Sequence, residues 1–335
     1  MDKINIYVPE DIQRKLDGDA QSFEVFKKDG HQINRNKFLN ALVQGYYDSY
    51  TAENARIRAG ISKALADSGL TAAKQEQAAD NILHQEFYPA LTSQASRSSK
   101  RLSLRPVANS ESRIRLILHD IGKGDSISSY FLRMLTSYCT RPSYERERII
   151  FSETYKVLQE ACSTRRAVTF TMSTDRESVQ KVIPFKIAVG QGEQFNYLLC
   201  YKHGDMQEAW TYRLNRIVSP CCGEPGTTIP ASVLRRLKLM SQNGAQYAIN
   251  DDEETRVLMN SQGVHAYQSI YFGRPPYTRI EERPEGLIYH FNCSANQLFL
   301  YFKKFDPGEA KVLSPDSLRQ RLVAFFEGNL RMYSS

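Results

Sequence analysis

Arg101 and Arg105 alternate with Leu102 and Leu104, so two guanidinium groups, with Ser103 between them, stand on the polar side of a segment whose other side is apolar. A guanidinium is a planar fork of donors that fits a phosphate. Residues 97–148 hold eleven Lys or Arg against five acids, whereas residues 1–96 hold eleven against thirteen. The basic footprint is therefore local. It predicts a polyanionic partner, the alternative being a solvated basic face. Catalytic chemistry lacks its constellations. His203, His265 and His290 have no neighbour that completes a nucleophile or acid–base set, and no GxSxG or GxxxxGK occurs. GQGEQ at 190–194 reads as a β-turn because no helix follows it. The six cysteines (Cys139, Cys162, Cys200, Cys221, Cys222, Cys293) and six histidines show no CxxC, HxxxH or HExxH spacing. The thiols are read as reduced and mostly buried, no metal or cofactor is predicted, and the chain reads as a binder and not an enzyme.

The elements that position these groups follow from length and pattern. With 335 residues, 41% hydrophobic and 24% charged, the chain suits two or three ordinary globular domains. Its net charge of +7 agrees with a polyanionic partner. No basic segment is backed by an apolar run, and nowhere do about 18 apolar residues occur together, so the expectation is a cytoplasmic protein without a membrane partner.

Ile4, Ile6 and Val8 alternate with Lys3, Asn5 and Tyr7, predicting a strand that Pro9 ends. PEDIQRKL opens a helix with Ile12, Leu16, Phe23 and Phe26 on one face, and a turn follows at Asp29–Gly30. INRNKFLNALVQGYY predicts a second helix capped by Asn34, with Ile33 stapled to Phe38. Strand, helix, turn and helix over residues 3–50 resemble the ribbon-helix-helix unit. In that family two units pair their strands into a ribbon that enters a nucleic-acid groove, and the N-termini of the second helices hold phosphates. One unit has no core of its own.

The pattern recurs. After Leu102, Leu104 and Pro106, NSESRIRLILHDIGKG predicts a helix with Ile114, Ile117, Leu118 and Ile121 on one face and a turn at Gly122 and Gly124. ISSYFLRMLTSYC predicts a partner helix capped by Ser128, with Ile127 stapled to Leu132. The expectation is an intrachain tandem pair, units 3–50 and 101–140, within a ribbon-helix-helix region spanning 1–142. Its central requirement is that the strands 3–8 and 101–105 pair. Residues 52–68 and 72–90 read as two intervening helices, and TSQASRSSKR as a flexible tract.

From ERERIIFSETYKVLQEACSTRRAVTFTM the chain reads as a helix and then a β-rich stretch: QKVIPFKIAV, QFNYLLCYK and EAWTYRLNRIVSP. Arg165 and Arg166 before Val168 and Phe170, Pro184, the triplet Asn196-Tyr197-Leu198, and YRLNRI at Tyr212–Ile217 resemble the WYL family. Asn196 stands where the family has Trp, and Met172 where an aromatic often closes the first strand. The resemblance implies a small Sm-like or SH3-like barrel over 143–222. Its ligand or nucleic-acid pocket would fall on Tyr197, Arg213 and Arg216, with Tyr201 as a further candidate on the side of Tyr197. Arginine would meet phosphate and tyrosine would stack on a base. Arg213 and Arg216 are three apart, so either the strand ends near Asn215 or one arginine is structural.

CCGEPGTTIP reads as a break, and residues 223–250 as a linker helix around ASVLRRLKLMSQ. Residues 251–335 read as strands (QSIYF, GLIYHFN, QLFLYFKKF, AKVLS) and a final helix that Ser314 or Asp316 caps. This resembles the α+β extension that follows WYL domains and often supports dimerisation, so a homodimer is expected. Phe299, Tyr301, Phe302 and Phe305 serve a core or an interface. The fold class is α+β throughout. A ribbon-helix-helix before a WYL domain resembles the WYL accessory proteins of type VI-D CRISPR systems. That resemblance implies binding of single-stranded RNA and stimulation of an RNA-guided CRISPR ribonuclease effector. The alternative is a ligand-responsive regulator of transcription on duplex DNA.

Overall fold

A computed structural model describes residues 2–88, 99–121, 126–192, 194–202, 208–249 and 253–333. Gly122, Gly124, His203, Pro89 and the tract from Thr92 to Ser98 lie outside the described residues. The chain divides into two compact units, Met1–Glu153 and Thr154–Ser335.

The first unit is built on two short strands, β1 (Ile4–Pro9) and β2 (Ser99–Leu104), paired antiparallel with Ile4 opposite Leu104 and Ile6 opposite Leu102. Their period-two pattern becomes sidedness: Ile4, Ile6, Val8, Leu102 and Leu104 are buried, while Asn5, Tyr7 and Arg101 face out. Each strand leads into two helices. After β1 come α1 (Glu10–Ser22) and α2 (Arg35–Ala64); after a further helix, α3 (Ala72–Ile82), and β2 come α4 (Ala108–Asp120) and α5 (Ile127–Thr140). The packing is crossed: α1 lies against α5, and α2 against α4.

The strands are braced in the same crossed sense. Tyr7 N–H donates to Ser128 Oγ on α5 at 3.0 Å, and Arg105 N–H donates to Asn36 Oδ1 on α2 at 2.8 Å. Buried Asn40 also donates to Arg105 O at 3.0 Å and accepts from Val107 N–H at 3.2 Å. Each ribbon strand thus depends on a helix that follows the other strand.

A buried polar knot joins the helices. Asp19 on α1, 5% exposed, receives both Nε and Nη2 of Arg146 at 2.7 and 2.8 Å and the hydroxyl of Tyr138 at 2.9 Å. Burial and the neighbouring Asp19 carboxylate hold the Tyr138 phenol well above its ordinary pKa. Arg146 belongs to α6 (Ser143–Ile150), which packs on α2 inside this unit although the sequence places it with the next domain. A Cβ at Gly45 would stand 2.0 Å from Ile149 O, so only glycine lets α2 and α6 approach this closely. Gly45→Ala is expected to cost about 1–3 kcal/mol, read as a lower urea midpoint of the full chain.

Three readings change here. The helices expected at 34–47 and 52–68 are one continuous helix, α2, because nothing between Tyr50 and Glu53 stops it. Leu118 is 43% exposed and not on the buried face of α4. The cap of α5 is Ser126, whose hydroxyl accepts from Ser129 N–H at 3.0 Å; Ser128 is already inside the helix.

The second unit begins with α7 (Ser152–Thr164), which starts at the boundary, and a five-stranded antiparallel sheet. Its strands are β3 (Arg166–Met172), β4 (Asp175–Val189), β5 (Asn196–Lys202), β6 (Glu208–Arg213) and β7 (Ile217–Pro225), ordered β6-β5-β4-β3-β7. The last strand returns to pair with the first, but β6 and β7 remain edges. The small barrel expected here is therefore not closed by strand pairing. Its long strand β4 runs through Pro184 with a register shift between Pro184 and Lys186. The first half of the expected break CCGEPGTTIP is strand, since β7 runs to Pro225. Helix α8 (Ala231–Asn243) covers one face, packing Val233, Leu237 and Met240 on Leu199, Tyr201 and Ala209.

The rest is a β-α-β-β-α-β unit: β8 (Thr255–Met259), α9 (Ser261–Ser269), β9 (Tyr277–Arg283), β10 (Gly286–Phe291), α10 (Ala295–Phe302) and β11 (Ala310–Ser314), in the ferredoxin-like order β11-β8-β10-β9, then α11 (Asp316–Tyr333). Two expected strands are not strands. NQLFLYF is helix α10, and QSIYF is the end of α9 and a loop. Phe299, Tyr301, Phe302 and Phe305 all join the core beneath this sheet. Three cysteines are buried, Cys162 and Cys222 are half-buried and Cys221 is exposed; all six are free thiols, and burial pushes Cys139 up to about 12.

Candidate nucleic-acid interface

Pairing in the ribbon sets its outer face. Tyr7 stands opposite Arg101 and Asn5 opposite Ser103, while Lys3 and Arg105 lie one residue beyond the Ile4–Leu104 pair. All six residues that the sequence singles out in the ribbon thus share one face. Tyr7 is 52% exposed, Lys3, Asn5, Arg101 and Arg105 are exposed, and Ser103 is half-buried, its hydroxyl 3.4 Å from Asn5 Oδ1. An aromatic ring opposite a guanidinium offers a stacking face beside a phosphate fork.

The two helix-end residues behave differently. Asn34 caps α2, its carboxamide oxygen accepting from Lys37 N–H at 3.0 Å. Ser128 is the second residue of α5 and not its cap; its hydroxyl accepts from Tyr7 N–H and so positions the ribbon. The sequence DSISS offers three serines within four residues, and local pattern alone does not choose among them.

In the sheet of the second unit, Tyr197 and Arg213 are direct cross-strand partners, and both are half-buried. Strand β6 ends at Arg213, and a 3₁₀ turn, Leu214–Arg216, follows. Of the two alternatives open in the sequence, the strand ending is the one observed. Arg216 is half-buried in that turn, and its carbonyl accepts from Ser173 N–H at 2.8 Å. Tyr201 is 2% exposed and lies in the core under α8, not at the surface with Tyr197. Sequence reasoning misses two neighbours of the pair. The Arg213 guanidinium carbon lies 3.4 Å from the centroid of the Phe195 ring, and a Cβ at Gly190 would come within 2.7 Å of the Tyr197 ring. Phe195 thus orients Arg213, and Gly190 gives Tyr197 its room. Asn196, beside Tyr197, is fully buried.

The crystal structure of a CRISPR Cas-related protein matches over 99% of this chain and 94% of its own length, at a TM-score of 0.68 and 15% identity. The fold is shared end to end. Proteasome accessory factor B/C (PafBC) of Arthrobacter aurescens matches over 70% of this chain and 37% of its own, at a TM-score of 0.28 and 17% identity. No protein-family model matches the chain, and no curated protein matches it.

Among the described residues no group of three or more His, Cys, Asp or Glu is placed to hold a metal ion, and no helix is long and apolar enough to cross a membrane.

Proposed function

We propose that this protein is a non-catalytic, nucleic-acid-binding regulator that binds single-stranded RNA, stimulates an RNA-guided CRISPR ribonuclease effector and acts as a homodimer. The observation that carries the reading is the outer ribbon face, where Tyr7 lies opposite Arg101 with Lys3 and Arg105 at the end of the same face. A stacking ring beside cations suits an unpaired strand, whose bases expose their faces. The crossed packing of the first unit supports its reading as two ribbon-helix-helix halves folded together in one chain, and the end-to-end fold match to a CRISPR Cas-related protein supports the setting. The Tyr197–Arg213 pair, with Arg213 over Phe195, is a second candidate contact, for an unpaired nucleic-acid strand or for a small anionic ligand.

A second reading has its own support. A two-stranded ribbon with an outward polar row is an element that fits a duplex major groove, as a DNA-binding transcriptional regulator requires. Competition between single-stranded RNA and duplex DNA over a salt series separates the two. Preference for the unpaired strand is the expected result; strong, sequence-dependent preference for duplex overturns the RNA reading. Target cleavage by the effector should rise when the protein is added, and an unchanged rate removes that partner.

If the second contact is used, Tyr197→Ala loses a stacked base, about 1–3 kcal/mol or roughly five- to 150-fold in affinity. Arg213→Ala should lower affinity comparably and also reduce the salt dependence. Wild-type affinity in both variants would place the whole site on the ribbon.

A further inference from the structure

Strand β9 is an edge of the ferredoxin-like sheet, and among the described residues no strand pairs with its outer side. Six of its seven residues, Tyr277, Thr278, Arg279, Ile280, Glu282 and Arg283, are exposed, with Glu281 half-buried. The opposite edge, β11, differs: helix α11 follows it and packs against it. A long open edge invites pairing, and proteins often blunt one with charged side chains, proline or a bulge; β9 has a register shift near its start, between the pairs Tyr277–Phe291 and Arg279–His290, and four charged residues. Here the charges alternate in sign along one face, Arg279 and then Glu281 two residues on, with Ile280 on the other face 42% exposed opposite core residue Tyr289.

That order is self-complementary. An antiparallel join about a two-fold axis normal to the sheet keeps both faces continuous only when residues of the same parity lie opposite one another. With Ile280 opposite Ile280 of a second copy, Arg279 meets Glu281 of that copy, and Glu281 meets its Arg279. The neighbouring registers of the same parity place Arg279 opposite Arg279, or Glu281 opposite Glu281, and like charges directly opposite are unfavourable. Pro276 and Pro284 bracket the strand and limit sliding. The central pair carries the apolar face of the sheet across the join. The loop that leads into β9 leaves Tyr271 80% and Phe272 58% exposed, adding apolar surface to the same region.

We infer that two copies of this chain join edge to edge through β9, in the register centred on Ile280, to form one continuous eight-stranded sheet. The inference rests on the homodimer part of the function proposed above and assigns its surface. It is independent of nucleic acid.

The test is sedimentation of the full chain without RNA over a concentration series. Wild type should dimerise. R279E and E281R should each be monomeric where wild type is dimeric, with an apparent Kd raised about tenfold or more, because each places like charges opposite one another twice per join. Mixed in equal amounts, the two variants should recover a 1:1 dimer, since positions 279 and 281 are then both acidic in one chain and both basic in the chain that faces it. A chain that fails to fold is not rescued by mixing, so recovery reads the join itself. Monomeric wild type overturns the homodimer and this surface together. Dimeric wild type with dimeric single variants, or a mixture that stays monomeric, overturns the β9 join alone and leaves the RNA-binding reading standing.

Discussion

Replacing Arg101 and Arg105 together by alanine should weaken binding of single-stranded RNA by roughly one to two orders of magnitude at physiological salt. It should also lower the slope of log K against log salt by about 1.4, at roughly 0.7 for each phosphate no longer neutralised. The two side chains are exposed on one ribbon face, whereas the Arg105 hydrogen bonds that brace the fold run through its backbone N–H and C=O. Alanine preserves those bonds. The loss should therefore appear in binding while the unfolding midpoint stays put. Tyr7→Ala, tested beside it, should reduce affinity without changing the slope, because a ring carries no charge. Fluorescence anisotropy at several salt concentrations checks both; an unchanged slope for the arginine pair means the strand is gripped elsewhere.

Asp19→Ala should be the most destabilising single change in the first unit, about 3–5 kcal/mol. Arg146, 9% exposed, loses the bidentate partner that offsets its burial, and the Tyr138 hydroxyl loses its acceptor in the same step. Asp19→Asn keeps an acceptor for Tyr138 but removes the charge, so its cost should be smaller and still large. Asp19→Leu combined with Arg146→Met removes both charges and should be less harmful than Asp19→Ala alone. Urea unfolding of the full chain decides this. A double variant no better than the single would assign the cost to packing and not to the orphaned arginine.

How far the fold shows through the sequence depends on how unevenly each segment is wetted. Ile4, Ile6, Val8, Leu102 and Leu104 are legible because each strand has one dry and one wet face, and the pairing of strands so far apart is legible because each is followed by a proline and two amphipathic helices. Segment 295–302 is misread as strand because Leu298, Phe299, Tyr301 and Phe302 are buried on several sides of a short helix, which erases its period. Strand β9 escapes for the opposite reason: nearly all its residues are wet, as an open edge allows, and no alternation remains. The candidate site divides likewise. The ribbon face follows from alternation alone. That Tyr197 lies opposite Arg213 depends on the register of β5 against β6, which the sequence of neither strand contains. The stacking of Phe195 on Arg213, and the choice of Ser126 over Ser128 as cap, are equally matters of three-dimensional placement.

Because both ribbon strands belong to one polypeptide, the ribbon does not come apart on dilution, and its halves are free to differ. They do differ. Along the outer face the rows run Lys3 with Arg105, Asn5 with Ser103, Tyr7 with Arg101, and turning the ribbon end for end does not reproduce that order. A ribbon made from two identical chains presents the same groups in either sense and is blind to the polarity of what lies on it. This one has a head and a tail. Under the function proposed above, a nucleic-acid strand, which also has a direction, would be seated one way round, with its 5′ and 3′ ends leaving toward fixed sides of the ribbon.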